Sequence, residues 1–283
     1  MKKIPVFLLV LYLNSSFAQD LRLWYQQPAT KWTEALPLGN GRLAGMVFGK
    51  TNTEQIQLNE ETIWAGTRVD DINPGAKANL KQIQQLLLDE KNKEAYELTK
   101  KYMLGTPPEI RSYQPLGDLF IGWKDSLTEA VDYRRSLDLK TAVHTSQFTR
   151  KGRKFVQEVF FSAPADIMVV RLSTLTGTID VNISLSREKD AGITVKGNRL
   201  LMNGRIRDED EPKKRGPAGD HLRFAAIADI SQSGGNIRPE ENGIEVTGAR
   251  EVVIRLTAAS DYRLGELDSD PVIDPQKTVF DIL

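Results

Sequence analysis

The feature that most constrains the fold is a regular succession of short apolar segments in the second half of the chain. From Thr141 onward, segments rich in Val, Ile, Leu and Phe recur every 10 to 12 residues or so (about the spacing of strands joined by tight turns), with Gly-rich breaks between them. This spacing is typical of antiparallel β-strands in a sandwich or barrel. The predicted strands are TAVHTSQFTR, KFVQEVFFSA, IMVVRLST, TIDVNISLSR, GITVKGNRLLMNGRI, LRFAAIADIS, GIEVTG and EVVIRLTAAS.

The sequence of the first half of the chain predicts further strands, followed by a stretch where the spacing of apolar residues changes from that of a strand to that of a helix. Strands are predicted at LRLWYQ, GRLAGMVFG and EQIQLN. After these strands, apolar residues recur at the spacing of a helix face; they are Leu80, Ile83, Leu87, Ala95, Leu98 and Tyr102. Gly105 is in the position of a helix C-terminal stop. The sequence therefore predicts one or two α-helices inserted among the strands.

The two ends of the chain carry their own signals. Lys2 and Lys3, an apolar run from Ile4 to Leu13 and the small residue Ala18 have the build of a secretory signal peptide covering residues 1–18. The run is shorter than the roughly 20 residues that span a bilayer, so a membrane anchor is the weaker alternative. We expect cleavage after Ala18, a bacterial periplasmic or secreted location, and no membrane contact after cleavage.

Near the other end, Asp274 is placed as a helix N-cap and Pro275 as the first helical residue. Helices shorter than about 12 residues are marginal unless they are packed. We therefore expect a longer helical region to follow, and expect the chain to be truncated before it.

Charge and composition limit the ligands. The 38 basic residues balance the 38 acidic residues, which argues against the positive field that nucleic-acid binding needs. The chain has no cysteine, so a thiol nucleophile is excluded, and its two histidines, His144 and His221, do not have the spacing of metal ligands. We expect no metal, no cofactor and no nucleic-acid partner.

The stretch EALPLGNGRLAGMVFG, from Glu34 to Gly49, raises the question of a phosphate-binding loop. It lacks the Lys-Ser/Thr pair of such loops, and no helix follows that would offer its N-terminal amides. Its glycines are better explained by turns and strand ends. Arg42 is a candidate for an outward contact.

The longer stretch LWYQQPATKWTEALPLGNGRLAGMVFGKTNTEQIQLNEETIWAG resembles the amino-terminal signature of glycoside hydrolase family 95, the α-L-fucosidase family of inverting enzymes. Later segments agree in the order of that family; they are NPGAKANLKQIQQLLLDEKNKEAYELTKKYM, SYQPLGDLFI, YRRSLDLKTAV, QEVFFSAPADIMVVRLS and EVVIRLTAASDYR. The resemblance implies a mainly β, antiparallel β-super-sandwich with one or two inserted helices. In the family this domain precedes a linker and an (α/α)6 catalytic barrel.

On this resemblance, the amino-terminal domain spans residues 19–265, a linker begins within residues 266–283, and the barrel is absent from the chain. The family's catalytic glutamate, aspartate and asparagines belong to the barrel, so none is expected here. The acidic pairs Glu60–Glu61 and Asp70–Asp71 do not replace them, because neighbours on a strand point to opposite faces.

The segment LNEETIWAG contains the candidate site residues Asn59, Glu60, Thr62 and Trp64. Polar side chains beside a large aromatic ring are the composition of a sugar site. The same residues suit a fixed domain interface or the core, and both alternatives stay open. The other tryptophans, Trp24, Trp32 and Trp123, are expected to be buried.

Two functions follow. The first is the amino-terminal domain of a secreted α-L-fucosidase-like glycoside hydrolase, inactive as an isolated chain. In the full-length family the enzyme hydrolyses terminal α-L-fucosides, so the implied partners are the (α/α)6 barrel, in the same or a separate chain, and a fucosylated glycan. The alternative is a stand-alone, non-catalytic carbohydrate-binding or assembly module.

Overall fold

About half of the described residues are in β-strands, and along many of these strands buried and exposed side chains alternate. In β5 and β7 below, nearly every second residue is buried, which is the pattern of a strand with one face in the core. The computed structural model describes residues 21–66, 68–208 and 215–283. The predicted signal peptide lies outside these ranges.

The strands are β1 (Arg22–Tyr25), β2 (Leu36–Gly39), β3 (Leu43–Val47), β4 (Thr53–Glu60), β5 (Gly117–Trp123), β6 (Val131–Asp138), β7 (Val143–Arg150), β8 (Arg153–Ser162), β9 (Ile167–Thr174), β10 (Ile179–Ser186), β11 (Ala191–Lys196), β12 (Arg199–Asp208), β13 (Gly219–Ser233), β14 (Asn236–Glu240), β15 (Gly243–Ala249), β16 (Glu251–Ser260), β17 (Tyr262–Arg263) and β18 (Asp268–Ser269). A short 3-10 helix covers Trp32–Glu34.

Two antiparallel sheets contain most of these strands. The large sheet has nine strands in the order β1-β6-β7-β8-β9-β16-β13-β12-β11, and the small sheet has seven in the order β14-β15-β10-β5-β4-β3-β2. Their apolar inner faces form one core. The predicted mainly β sandwich is therefore confirmed.

One aromatic cluster marks the centre of the core. Trp123 lies edge-on to Phe148 and Phe155, with ring centroids 5.3 and 5.0 Å away. The predicted burial of Trp123 is confirmed, whereas that of Trp24 and Trp32 is wrong, because their side chains are 51% and 54% exposed. Trp24 is on the edge strand β1, and Trp32 is in the 3-10 helix.

The inserted helices are α1 (Ala76–Leu88) and α2 (Asn92–Tyr102). Within them only Ile83 and Ala95 are buried, and Leu80 and Leu87 are 45% and 54% exposed. The expected stop at Gly105 is wrong, because α2 already ends at Tyr102.

The third described helix, α3 (Pro275–Ile282), begins as predicted. The Asp274 carboxylate accepts a hydrogen bond from the Gln276 amide at 3.0 Å. Val279 packs on Ala225, Ile227 and Ala259, so α3 covers the outer face of the large sheet over β13 and β16. The division between a domain ending at residue 265 and a linker from residue 266 stays a prediction. In the described ranges, no helix is long and apolar enough to span a bilayer.

Candidate functional site

The turn between β2 and β3 is built by Asn40 and Gly41. The Asn40 side-chain oxygen accepts hydrogen bonds from the backbone amides of Arg42 (3.1 Å) and Leu43 (2.8 Å). Gly41 has a φ of +103°, which L-residues rarely adopt. The stretch GNGR is therefore a turn, as the sequence predicts.

The same turn joins the two sheets. Asn40 Nδ2 donates to the Ser162 carbonyl and to Asp166 Oδ1, both at 3.2 Å, at the turn between β8 and β9. Arg42 Nε donates to Asp166 Oδ2 at 2.6 Å. The expected outward contact of Arg42 is therefore wrong, because its guanidinium crosses to the large sheet.

Arg42 also reaches β16 in the large sheet. Its Nη1 donates to the Ala258 carbonyl at 2.5 Å and lies 3.3 Å from Glu60 Oε1, and its Nη2 donates to Thr257 Oγ1 at 3.2 Å. We call this set, Arg42 with Glu60, Asp166, Thr257 and Ala258, the Arg42 clamp. It binds the small sheet to the large sheet at one end of the sandwich.

Two of the predicted site residues belong to this interior network. Glu60 is 2% exposed, and its Oε2 accepts hydrogen bonds from the Thr62 amide (2.9 Å) and hydroxyl (2.5 Å). The Thr62 hydroxyl also contacts the Ser260 hydroxyl. Burial raises the pKa of Glu60, while the Thr62 hydrogen bonds and Arg42 act in the opposite direction. Glu60 and Thr62 thus connect the two sheets internally.

Asn59 and Trp64 are linked by Tyr113, which no motif singled out. The single hydrogen of the Tyr113 hydroxyl is shared between Asn59 Oδ1 (3.2 Å) and the Glu60 carbonyl (3.0 Å). The Trp64 and Tyr113 rings meet edge to face, with centroids 5.4 Å apart. Burial raises the pKa of Tyr113 to about 12, so its hydroxyl stays protonated as a donor at neutral pH.

Trp64 lines a cleft of about 370 Å³, mostly apolar, at this end of the sandwich. We call it the Trp64 cleft; its walls include Trp64, Val69, Ile110, Arg111, Pro217, Tyr262 and Leu267. Arg111 is 2% exposed and fixes one wall through the carbonyls of Pro217 (2.6 Å) and Gly216 (3.0 Å) and through Asp208 (2.7 Å). The cleft volume is in the range of small-molecule sites.

Exposed apolar side chains occur in and beside the Trp64 cleft. Ile110 and Leu267 on its walls are 72% and 55% exposed. Ile72 (78%) and Leu264 (52%) are in the segments that supply Asp71 and Leu267 to the cleft. Exposed apolar side chains grouped around a cleft are typical of an interaction surface.

The structure therefore separates the four predicted site residues. Glu60 and Thr62 lie between the sheets, Trp64 lines the cleft, and Asn59 is on the opposite face of β4 from Glu60, where it contacts Tyr113. Whether they border a sugar pocket or a domain interface stays a prediction. The sequence did not identify Arg111, Tyr113 or Tyr262 as their neighbours, because they come from distant segments. Tyr113 and Tyr262 are in segments that resemble the family, but the resemblance does not show which residues meet in the fold.

The two histidines are buried and lack a metal-binding environment. Among the described residues, no group of three His, Cys, Asp or Glu side chains could hold a metal ion. His144 is fully buried, and burial lowers its pKa to about 3, so its ring is neutral. Burial also lowers the pKa of His221.

Comparison with known proteins gives consistent matches. Residues 23–264 match the family described as "Glycosyl hydrolase family 65, N-terminal domain". The chain is 30% identical to "Alpha-L-fucosidase 2" of Arabidopsis thaliana, over 93% of this chain and 33% of that protein. Two proteins named "Probable alpha-fucosidase A" match at 30% (Aspergillus oryzae) and 29% (Aspergillus niger), over 62% and 66% of this chain and 25% of each relative. The chain spans a third or less of these curated relatives.

Proposed function

Because the chain belongs to the family of glycosyl hydrolase family 65 N-terminal domains, and its curated relatives are α-fucosidases, we propose that it is the supporting β-sandwich of an α-L-fucosidase-like glycoside hydrolase. The predicted resemblance to the amino-terminal domain of α-L-fucosidases is confirmed. The observation that carries the proposal is the family match across nearly all described residues. In this proposal the chain alone is inactive.

The Trp64 cleft is consistent with a domain that supports a separate catalytic domain. Its apolar walls and the neighbouring exposed Ile72 and Leu264 suit a surface that another domain covers. Arg111 holds the backbone of one wall through the carbonyls of Pro217 and Gly216, so this wall is preformed. We propose that an α-helical catalytic domain, in the same chain or a separate one, docks there, and that Trp64 and Asn59 lie at its sugar pocket or its interface.

We base the proposed substrate class on the relatives and the proposed location on the amino terminus. The names of the relatives support α-L-fucosides as the substrate class, and we propose that the fucose is terminal on a glycan, as the resemblance to family 95 implies. The signal-peptide pattern in residues 1–18 supports a bacterial periplasmic or secreted enzyme without membrane contact after cleavage.

A second function, a stand-alone carbohydrate-binding or assembly module, is supported by the size of the Trp64 cleft, which is large enough for a sugar. The two functions differ in what occupies the cleft. A supporting domain presents it to protein, whereas a binding module presents it to glycan and solvent.

Site-specific crosslinking tests the proposal. The photoreactive residue p-benzoylphenylalanine replaces Ile110, on a wall of the cleft and 72% exposed, in the protein expressed from its own gene in its native host. We expect crosslinks to peptides of an α-helical glycosidase domain, identified by mass spectrometry.

Leu175 is the matched control, because it is 94% exposed and follows β9 at the end of that strand opposite Asp166. It should capture no such peptide. Equal capture from positions 110 and 175, or capture from neither in preparations that hydrolyse fucosides, would contradict docking at the Trp64 cleft.

A further inference from the structure

The outer face of the large sheet has two different halves. Over β13 and β16 it is apolar, and α3 covers it through Val279. Over β6, β7 and β8 the outward side chains are polar and surround a groove of about 470 Å³. We call it the outer groove; its lining includes Arg134, Ser136, Asp138, Thr145, Gln147 and Glu158. It shares no lining residue with the Trp64 cleft.

Strand pairing arranges the floor of the outer groove. Ser136 is directly opposite Thr145, which is opposite Glu158 on the next strand, and Arg134 is beside Gln147 in the register of the same strands. Residues directly opposite each other share a face of the sheet, so these side chains form adjacent rows. Within the described part of the chain, the side chains of Ser136, Thr145 and Gln147 have no hydrogen-bond partner. They therefore offer free donors and acceptors to a ligand.

Trp24 provides an aromatic surface at the edge of this floor. It pairs with Ser136 in the register of β1 and β6, and its side chain is 51% exposed. The Arg134 guanidinium, which lines the groove, lies over the Trp24 ring at 4.9 Å from the centroid. A half-exposed tryptophan stacked on a planar cation makes a broad flat surface beside a polar floor.

The formal charges in the outer groove compensate one another. Arg22 pairs with Asp138 at 3.4 Å, and Arg171 pairs with Glu158 at 2.8 Å. The amides of Thr141 and Lys140 donate to Asp138, which lowers its pKa and keeps it ionised. The groove lining holds two cations, Arg22 and Arg134, and two carboxylates, Asp138 and Glu158, so its formal charges balance. The floor therefore favours an uncharged ligand with many hydroxyl groups.

We propose that the outer groove binds a short, uncharged oligosaccharide. The apolar C–H face of one sugar ring stacks on the surface made by Trp24 and Arg134, while its hydroxyls bond to Ser136, Thr145 and Gln147. The site retains glycan on a face of the sandwich away from the Trp64 cleft. It does not depend on the proposed function, because it involves none of the residues of the cleft.

The test is a calorimetric titration of the purified chain with three probes: 2′-fucosyllactose, cellotetraose as an uncharged sugar without fucose, and an oligogalacturonate as an acidic sugar. We expect saturable binding of at least one uncharged probe with a Kd of about 1 mM or lower. In Trp24→Ala the affinity should fall about tenfold or more, because the stacking surface is lost. Trp32→Ala is the matched control, because Trp32 is similarly exposed but lies in the 3-10 helix and not in a strand paired with the groove floor, and it should bind like the wild type.

The hydroxyl of Thr145 gives a second, independent readout. Thr145→Val keeps the shape of the side chain and removes its hydroxyl, so it should weaken binding, and Thr145→Ser should restore it. Absence of binding to both uncharged probes at about ten times that Kd would overturn the proposal. So would stronger binding of the oligogalacturonate, or binding that Trp64→Ala abolishes and Trp24→Ala leaves unchanged.

Discussion

Replacing Arg42 with alanine is expected to destabilise the domain by about 3 kcal/mol or more, because it leaves the buried Glu60 carboxylate without its cation. The change also removes the Arg42 hydrogen bonds to Asp166, to the Ala258 carbonyl and to Thr257, so three further links between the sheets are lost. Urea unfolding followed by tryptophan fluorescence measures the effect, and Trp123 in the core is the natural reporter.

Arg238→Ala is the matched control for this prediction. Arg238 is 68% exposed and pairs with Glu240 and Glu245 at the surface, so its loss should cost less than about 1 kcal/mol. If Arg42→Ala and Arg238→Ala unfold at the same urea concentration, the Arg42 clamp does not hold the sheets together.

Glu54 is expected to make the domain less stable as the pH rises. The residue is fully buried between the sheets, and burial raises the pKa of its carboxyl group from 4.5 to about 7. Three hydrogen bonds oppose this shift, from Gln157 Nε2 (2.7 Å) and from the amides of Gly49 (2.9 Å) and Gln55 (3.0 Å). Because the folded state holds this proton more tightly, its stabilising contribution is complete below pH 4.5 and is lost as the pH rises through 7.

The variant Glu54→Gln isolates this contribution. Each pKa unit corresponds to about 1.4 kcal/mol. Between pH 4.5 and about pH 8, the difference between the unfolding free energy of the variant and that of the wild type should therefore shift by about 3 kcal/mol in favour of the variant. Glu97→Gln, an exposed change of the same kind on α2, should follow the wild type at every pH. A constant difference between Glu54→Gln and the wild type would show that Glu54 does not titrate in this range.

The sequence predicts best the strands and helices whose signal lies within a few consecutive residues. Period-two alternation locates β4, and Asp274 with Pro275 locates the start of α3. The short strands β2 and β14 were not predicted, because four or five residues with internal Pro give too weak a pattern. Trp24 was wrongly placed in the core, because its exposure depends on β1 being an edge strand.

The candidate site was predicted less completely, because its neighbours come together only in the folded chain. The segment from Asn59 to Trp64 could be chosen from its composition. Its contacts with Ser260 and Tyr113 depend on the packing of distant strands and loops, which no local pattern encodes. The role of Arg42 is of the same kind, since its partners Asp166 and Ala258 are more than a hundred residues away in sequence.

The central claim is that this β-sandwich supports a glycosidase without providing its catalytic groups. Release of L-fucose from 2′-fucosyllactose and 4-nitrophenyl α-L-fucoside by the purified chain tests it most directly. An inverting glycosidase needs an acid and a base roughly 6.5 to 9.5 Å apart on either side of the bond, whereas the buried glutamates Glu54 and Glu60 are enclosed between the sheets. We expect release no greater than in buffer. Sustained release that persists after repurification and is lost in Glu60→Gln would contradict it.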